Sequence, residues 1–309
     1  MKGRQVSNEE VRVDVESFAR ELELDIVSKG RGEIVLSSIS VSRPGLQLSG
    51  YFVHFDRARV QVIGNAENEY LNGMTPEKRY KALENLIKRE IPCLIIARNM
   101  EVMPEVRQLC EKYDCPLLHS KKITTVLIND ITAYKSEVLA PTHVSHGVLV
   151  DVFGIGIMIV GKSGVGKSEI ALDLVNRGHR LVADDSIIIK NINDQLIGKS
   201  PKNIRYFMEI RGIGIINVKS MFGSGAVLPE KSVELIAELV PWDQMRDYDR
   251  LGDEKTCIDI LGVQTQKLLI PVSPGRNIPI IIETAARKFR LEQLGYSAVD
   301  ELVNSTFKK

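Results

Sequence analysis

The run Gly161-Lys162-Ser163-Gly164-Val165-Gly166-Lys167-Ser168 fits the phosphate-binding pattern G-x-x-x-x-G-K-[ST] at every fixed position. Such a loop works only between a strand and a helix, so it constrains the fold on both sides. Glycines let successive backbone N–H groups turn inward to form an anion site, and the following helix adds the positive end of its dipole. Lys167 is placed to set its ammonium beside the β- and γ-phosphates, and the Ser168 hydroxyl can ligate Mg²⁺. The flanks agree with this reading. Ile155-Gly-Ile-Met-Ile-Val160 reads as a buried strand entering the loop. Lys167 to Arg177 has helical periodicity, and Gly178 stands where a left-handed cap belongs. The chain is expected to bind nucleotide.

Composition narrows what else it does. A length of 309 residues suggests two domains, and 44% hydrophobic with 26% charged residues is the balance of a globular protein with ample core. A formal net charge of +1 argues against nucleic acid as a partner. Cys93, Cys110, Cys115 and Cys257 lack paired C-x-x-C spacing, so they read as small buried apolar residues rather than zinc ligands or a disulfide framework. The N-terminus is charged, without the apolar core of a signal peptide, and no run is long enough to span a membrane. A cytoplasmic protein with no membrane partner is expected.

The expected architecture is α/β in two parts, a small N-terminal domain over 1–135 and a C-terminal P-loop domain over 136–309. In the first, Ser7 and Glu10 make a capping box for a helix with Val11, Val15, Phe18, Ala19 and Leu22 on its apolar face. Strands are expected at Glu33–Leu36, Val60–Ile63, Pro92–Ala97 and Pro116–His119. Helices are expected from Thr75-Pro76 to about Arg89, around Glu105–Lys112, and from Lys122 to Leu139. This alternation implies a largely parallel sheet. Ala140-Pro141-Thr142 punctuates the end of the last helix.

The second half opens with Gly147–Val152 and a Phe153-Gly154 turn, a hairpin into the loop strand. Arg180–Asp185 reads as a strand ending in paired acids. Ser186–Lys190 and Gln195–Ile197 flank Asn193-Asp194 as another hairpin, so the sheet is expected to be mixed. Ile278–Leu294 reads as an amphipathic helix closed by Gly295, and Ser297 caps a last helix from Ala298 to Phe307.

A phosphate loop does not say what happens to the γ-phosphate; metal ligands, a base and neutralising charges decide that. Asp184 and Asp185 end a strand beside the loop, where one can orient a metal ion and the other accept a proton from an incoming hydroxyl. In Glu209-Ile-Arg-Gly-Ile-Gly-Ile-Ile-Asn-Val218, Glu209 and Arg211 are expected on one face of an extended segment. They would offer a carboxylate for metal and a guanidinium for phosphate. His143 and His146 precede the hairpin, and either can orient an acid or bond a phosphoryl oxygen. Arg246 and Arg250 can add positive charge, and Pro271-Val272-Ser273-Pro274-Gly275-Arg276 is a rigid loop with an arginine at its tip.

Taken in order, these stretches resemble the bacterial HPr kinase/phosphorylase family. The likeness is carried by His146–Val152, the phosphate loop through Glu169, Asp184-Asp185, Glu209–Val218, Tyr248–Gly252, Pro271–Arg276 and Phe289–Tyr296. It implies phosphorylation of a serine of the phosphocarrier protein HPr by ATP (or pyrophosphate) with Mg²⁺ or Mn²⁺. It also implies the reverse, in which inorganic phosphate attacks phosphoserine and pyrophosphate leaves. The implied setting is carbon catabolite repression and the control of sugar uptake. In the same terms, Lys167 and the loop hold the β-phosphate, and Ser168 with Glu209 positions the divalent ion. The acid at 184/185 accepts the serine proton in one direction and returns it in the other, with Asp185 preferred to Asp184. His146 and Arg250 correspond to further active-site positions. The loop 271–276 corresponds to a segment needed mainly for dephosphorylation. A catalytic domain resembling phosphoenolpyruvate carboxykinase, and a homohexamer, are implied as well. The alternatives are a small-molecule kinase of carboxykinase-like fold and a binding protein gated by nucleotide without group transfer.

Overall fold

The structure, a computed structural model, describes residues 10–242, 256–297 and 301. They form two compact units that meet in sequence between Ala140 and Pro141.

The N-terminal unit contains β1 (Val11–Asp14), α1 (Val15–Leu22), β2 (Asp25–Ser28), β3 (Glu33–Leu36), β4 (Val41–Ser42), α2 (Gly45–Leu48) and β5 (Val60–Ile63). These are followed by α3 (Asn65–Asn72), α4 (Pro76–Ile87), β6 (Leu94–Ile96), α5 (Pro104–Lys112), β7 (Leu117–His119) and α6 (Thr124–Val138). Its main sheet runs β2-β7-β6-β5-β4, parallel except at β2. Strands β5 and β6 are buried along their whole length, as expected of a parallel sheet covered on both faces. Phe18, Leu22, Leu127 and Ile131 of α1 and α6 cover one face. Leu83, Leu86, Val106 and Leu109 of α4 and α5 cover the other.

The expected start of the first helix is corrected here. Val11–Asp14 is a strand paired antiparallel with β3, and the helix begins at Val15. Asp14 is its cap, accepting the Ser17 N–H at 2.8 Å. Ser7 lies outside the described residues. The apolar spacing of Val11 and Val15 imitates a helical period, but pairing with Glu33–Leu36 decides the conformation.

Lys135 is fully buried in this unit, where its ammonium donates to the Ser40 carbonyl at 2.8 Å. Burial pushes its pKa down to about 8. The folded state therefore disfavours the charged form, a penalty fully present below pH 8 and relieved as pH rises towards the ordinary lysine value of 10.5. Lys135→Met is expected to stabilise the unit by about 1–2 kcal/mol near neutral pH. The gain should shrink when melts of the full chain are repeated at about pH 9.5. A gain independent of pH would contradict the assignment.

The C-terminal unit begins with β8 (Thr142–His146), β9 (Val148–Val152), β10 (Ile155–Gly161), α7 (Lys167–Asn176), β11 (Arg180–Ala183), β12 (Ser186–Ile192) and β13 (Gln195–Lys199). It continues with β14 (Phe207–Ile210), β15 (Gly214–Asn217), α8 (Val218–Phe222), β16 (Glu230–Ser232), β17 (Leu235–Pro241), β18 (Thr256–Ile260), β19 (Val263–Val272) and α9 (Ile278–Gln293). Among the described residues its central sheet runs β11-β9-β10-β17-β19-β18. Strands β10, β17 and β19 are mutually parallel, and the remaining pairs are antiparallel. This is the mixed sheet expected from sequence.

Alternation with period two explains the layers. Ile157, Ile159, Leu235, Ala237 and Leu239 face α7 and α9, meeting Leu174 and Ile282. Leu149, Met158 and Ile236 face the other way, onto Ile187, Ile189 and Leu196 of a second sheet ordered β16-β13-β12-β8. Helices therefore cover one face of the central sheet and an antiparallel sheet the other. The hairpins at Phe153-Gly154 and Asn193-Asp194 turn on positive φ values, as tight hairpins require. Of the last expected helix only Glu301 is described, its N–H donating to the Ser297 carbonyl at 3.1 Å; the rest lies outside the described residues. No helix among the described residues is long and apolar enough to cross a membrane.

Candidate functional site

Because β10, β17 and β19 are parallel, their carboxyl ends gather at one edge of the sheet, the edge where α/β folds place ligands. β10 ends in the glycine loop, and α7 starts at Lys167. Gly164 and Gly166 take φ of +83° and +96°, which turn the loop's backbone into a concave nest. The Lys167 ammonium lies across this nest, donating to the carbonyls of Gly161 at 3.1 Å and Lys162 at 3.2 Å. Lys162, Ser163 and Val165 complete the loop, in which the Val165 N–H donates to the Lys162 carbonyl at 3.3 Å.

The neighbouring acids sit in opposite environments. Asp184 is buried, and the Ser168 hydroxyl donates to its Oδ1 at 2.9 Å. Burial raises its pKa above the usual carboxylate range, opposed by hydrogen bonds from Ser168 and from the backbone N–H of Glu209. Asp185 takes φ of +64°, and Ser186 N–H closes back onto the Asp184 carbonyl at 2.8 Å. This tight left-handed turn throws the Asp185 carboxylate outward, where it is exposed.

His146 arrives by strand pairing, opposite Ser186 in the β8–β12 ladder. Its Nδ1 is 3.3 Å from the Asp185 carbonyl and 3.9 Å from the Asp185 carboxylate. The Gly147 N–H holds the same carbonyl at 3.2 Å. His143 is three residues away on the same strand, hence on the opposite face, and is not brought to the site.

Glu209 stands on the outward face of β14, in register with Ile215 of β15. The expectation that Arg211 shares an extended segment with it is corrected. Arg211 lies in the turn between the strands, because Gly212 at φ +83° reverses the chain. The turn brings the guanidinium onto the phosphate loop. A Cβ placed on Gly164 would stand 3.1 Å from Arg211 Nη1. The positive charge thus reaches the phosphate site by a different route from the one the spacing suggested.

Pro271 and Val272 are the last residues of β19 rather than part of a loop; the turn proper is Ser273–Arg276, closed by Arg276 N–H on the Ser273 carbonyl at 3.2 Å. Arg276 Nη1 donates to the Pro271 carbonyl at 3.0 Å, and its guanidinium lies 5.7 Å from the Trp242 ring. Trp242, tied by its N–H to the Val272 carbonyl at 3.0 Å, is a site neighbour that motif reading passes over. The available signal was that it is the chain's one tryptophan, directly after the β17 run. Arg246, Arg250 and the Tyr248–Gly252 stretch lie outside the described residues.

Ser168, Asp184 and Glu209 supply the hard oxygen donors that Mg²⁺ or Mn²⁺ prefers. Ser168 Oγ bonded to a buried carboxylate is the observation that fits a divalent ion here. Among the described residues no three His, Cys, Asp or Glu side chains make a cage of their own. Magnesium at nucleotide sites is commonly held by one or two carboxylates plus the phosphates.

Comparison with known proteins agrees along nearly the whole chain. Residues 137–306 match the family model described as HPr Serine kinase C-terminal domain, and residues 13–134 match the one described as HPr Serine kinase N terminus. An HPr kinase/phosphorylase of Peptoclostridium acidaminophilum is 44% identical over 303 residues, covering 97% of this chain and 98% of the relative. One from Caldanaerobacter subterraneus subsp. tengcongensis is 43% identical over 300 residues, covering 96% and 98%. The solved Hpr(Ser) kinase/phosphatase of Coxiella burnetii is 37% identical and covers 54% of this chain and 99% of its own, with a TM-score of 0.48.

Proposed function

The chain belongs to the HPr serine kinase family, and we propose that it moves a phosphoryl group from ATP to a serine of HPr and, in reverse, from that phosphoserine to inorganic phosphate. In the forward direction the serine oxygen attacks the γ-phosphorus of ATP, the bond to the β-phosphate oxygen breaks, and ADP leaves. In reverse an oxygen of inorganic phosphate attacks phosphoserine, the serine O–P bond breaks, and pyrophosphate leaves. The observation that carries this reading is the pairing of a phosphate nest with two adjacent acids, one buried on Ser168 and one exposed beside His146.

The C-terminal unit performs the chemistry. The nest and Lys167 hold the β-phosphate of ATP in one direction and the attacking inorganic phosphate in the other, and Arg211 adds charge over Gly164. Asp185 takes the serine proton in the forward direction and returns it to the serine oxygen in reverse. His146, beside it, orients that carboxylate. Asp184 fixes the Ser168 hydroxyl and the β14 backbone. When bound, Mg²⁺ or Mn²⁺ neutralises charge on the phosphate oxygens, and Ser168 and Glu209 would hold it. Two further parts of this scheme rest on the family resemblance: positive charge from Arg250, and assembly into a homohexamer. The cytoplasm, where ATP is available, is the compartment proposed for this reaction.

Incubation with γ-labelled ATP, Mg²⁺ and HPr should label HPr on serine; label on a metabolite, or none transferred, would contradict the proposal. Arg276 offers a finer check. Phosphorolysis must hold an incoming phosphate dianion that the kinase direction does not, and the turn Ser273–Arg276 carries a guanidinium at that edge of the sheet. Arg276→Ala is expected to lower phosphorolysis about tenfold more than phosphorylation, as for loss of one charge-assisted contact. Equal losses would count against a directional role.

A further inference from the structure

The Phe153-Gly154 turn lies at the edge of the central sheet opposite the phosphate loop, because β10 runs from Ile155 there to Gly161 at the loop. Helix α7 likewise starts at the loop and ends at Arg177, its cap. Between these far ends is a cavity of about 280 Å³, lined in part by Asp151, Phe153, Arg177, His179 and Arg180. Ligand pockets run from about 300 Å³ upward, so this one suits a small ion or molecule. Its walls are cationic. Strand pairing puts Arg180 opposite Asp151, whose buried carboxylate holds the guanidinium by Nε and Nη2. Arg177 donates from Nε to Asp173 at 2.9 Å, with Nη1 3.8 Å from Glu283. Among the described residues nothing accepts from Arg180 Nη1 or Arg177 Nη2.

Two more guanidiniums reach the same turn from α9. That of Arg287 lies 4.0 Å over the Phe153 ring, and Arg290 Nη1 donates to the Phe153 carbonyl at 3.0 Å. Asp151 Oδ1 is buried without a hydrogen-bond partner, 3.9 Å from the Lys231 ammonium. Unspent donors and an unspent buried acceptor at one cavity point to a ligand that carries both functions. The donors select its class. The two oxygens of a carboxylate satisfy one guanidinium fork, whereas a tetrahedral phosphate can accept from Arg177 and Arg180 together. As HPO₄²⁻ it also keeps one O–H, the donor that Asp151 Oδ1 lacks. We infer that this cavity is a second site for inorganic phosphate, separate from the catalytic nest. Arg177 closes the helix that begins with Lys167 and Ser168, and Arg180 opens the strand that leads to Asp184. The ion would therefore join the far ends of two elements that carry site residues.

Equilibrium dialysis of the full chain against radiolabelled inorganic phosphate, without nucleotide, is the test. Arg177→Gln should weaken this site about tenfold or more, the effect of losing one charge-assisted contact. At phosphate concentrations that just saturate the unaltered protein, the variant should bind one phosphate fewer per chain. That difference does not depend on what the catalytic nest binds, so failure of the functional reading and failure of this site are separate results. Arg180→Gln should lose the same phosphate, but it leaves Asp151 unpaired in the core, so its melting profile is recorded alongside. Arg177 contacts only carboxylates at the cavity rim, and its variant should melt as the unaltered chain does. Sulfate has the same shape and charge with no proton to donate, and should compete about tenfold more weakly than phosphate. Unchanged phosphate binding by Arg177→Gln overturns the inference. So does sulfate competing as well as phosphate, which would make the cavity a general anion site.

Discussion

Asp185→Asn is expected to lower phosphorylation of HPr and its phosphorolytic reversal together, each by about 10²–10⁴-fold, the usual contribution of a positioned general base. The amide keeps the size of the side chain but can neither take the serine proton nor return it. Both directions pass through one proton transfer at the serine oxygen, so both fall. The expectation is specific to Asp185 because of how the turn divides the pair. Asp185 is exposed beside His146, whereas Asp184 is buried with both oxygens within 3.2 Å of the Ser168 hydroxyl. Asp184→Asn should instead act through Ser168, weakening the response to Mg²⁺ and raising the metal concentration needed for half-maximal rate. Rates at saturating and limiting Mg²⁺ distinguish the two. If Asp184→Asn abolishes proton transfer at saturating Mg²⁺ and Asp185→Asn does not, the assignment of roles is reversed.

Lys167→Ala is expected to remove both activities, with a loss of about 10³-fold or more in kcat/KM, consistent with losing a preorganised charge from a phosphoryl-transfer site. The ammonium donates to the Gly161 and Lys162 carbonyls, so it is held at the rim of the nest and needs only to turn inward to meet phosphate. The nest itself is backbone, set by Gly164 and Gly166 at positive φ, and survives the substitution. The variant should therefore remain folded, with an unchanged melting profile, while nucleotide affinity falls. A folded Lys167→Ala that retains kinase activity but loses phosphorolysis would show that the two directions do not share this loop.

Much of this site was legible in the sequence because its elements are local. Strand β10, the glycine loop and α7 follow one another within a single turn of chain, and the hairpins at Phe153-Gly154 and Asn193-Asp194 are set by their own turn residues. What the sequence hid depends on partners far along the chain. Val11–Asp14 has spacing that suits a helix, and only Glu33–Leu36 lying alongside makes it a strand. Arg211 fits a period-two pattern with Glu209, yet the chain reverses at Gly212 and carries the guanidinium over Gly164. The contrast between buried Asp184 and exposed Asp185 has no sequence signal. It arises from one left-handed residue, the Ser168 hydroxyl, and a histidine delivered by β8. Strands β17 and β19 likewise gather Trp242 and Arg276 at the loop's edge through parallel pairing that no local pattern announces.

Release of pyrophosphate tests the central claim most directly. The full chain is mixed with serine-phosphorylated HPr, Mg²⁺ and inorganic phosphate, without nucleotide, and both pyrophosphate and dephosphorylated HPr are measured. A phosphate nest shared by both directions predicts one pyrophosphate for each serine regenerated, with dependence on added phosphate. Dephosphorylation that yields free phosphate at a rate indifferent to added phosphate would mean that water is the acceptor, and would contradict the reversible site described here.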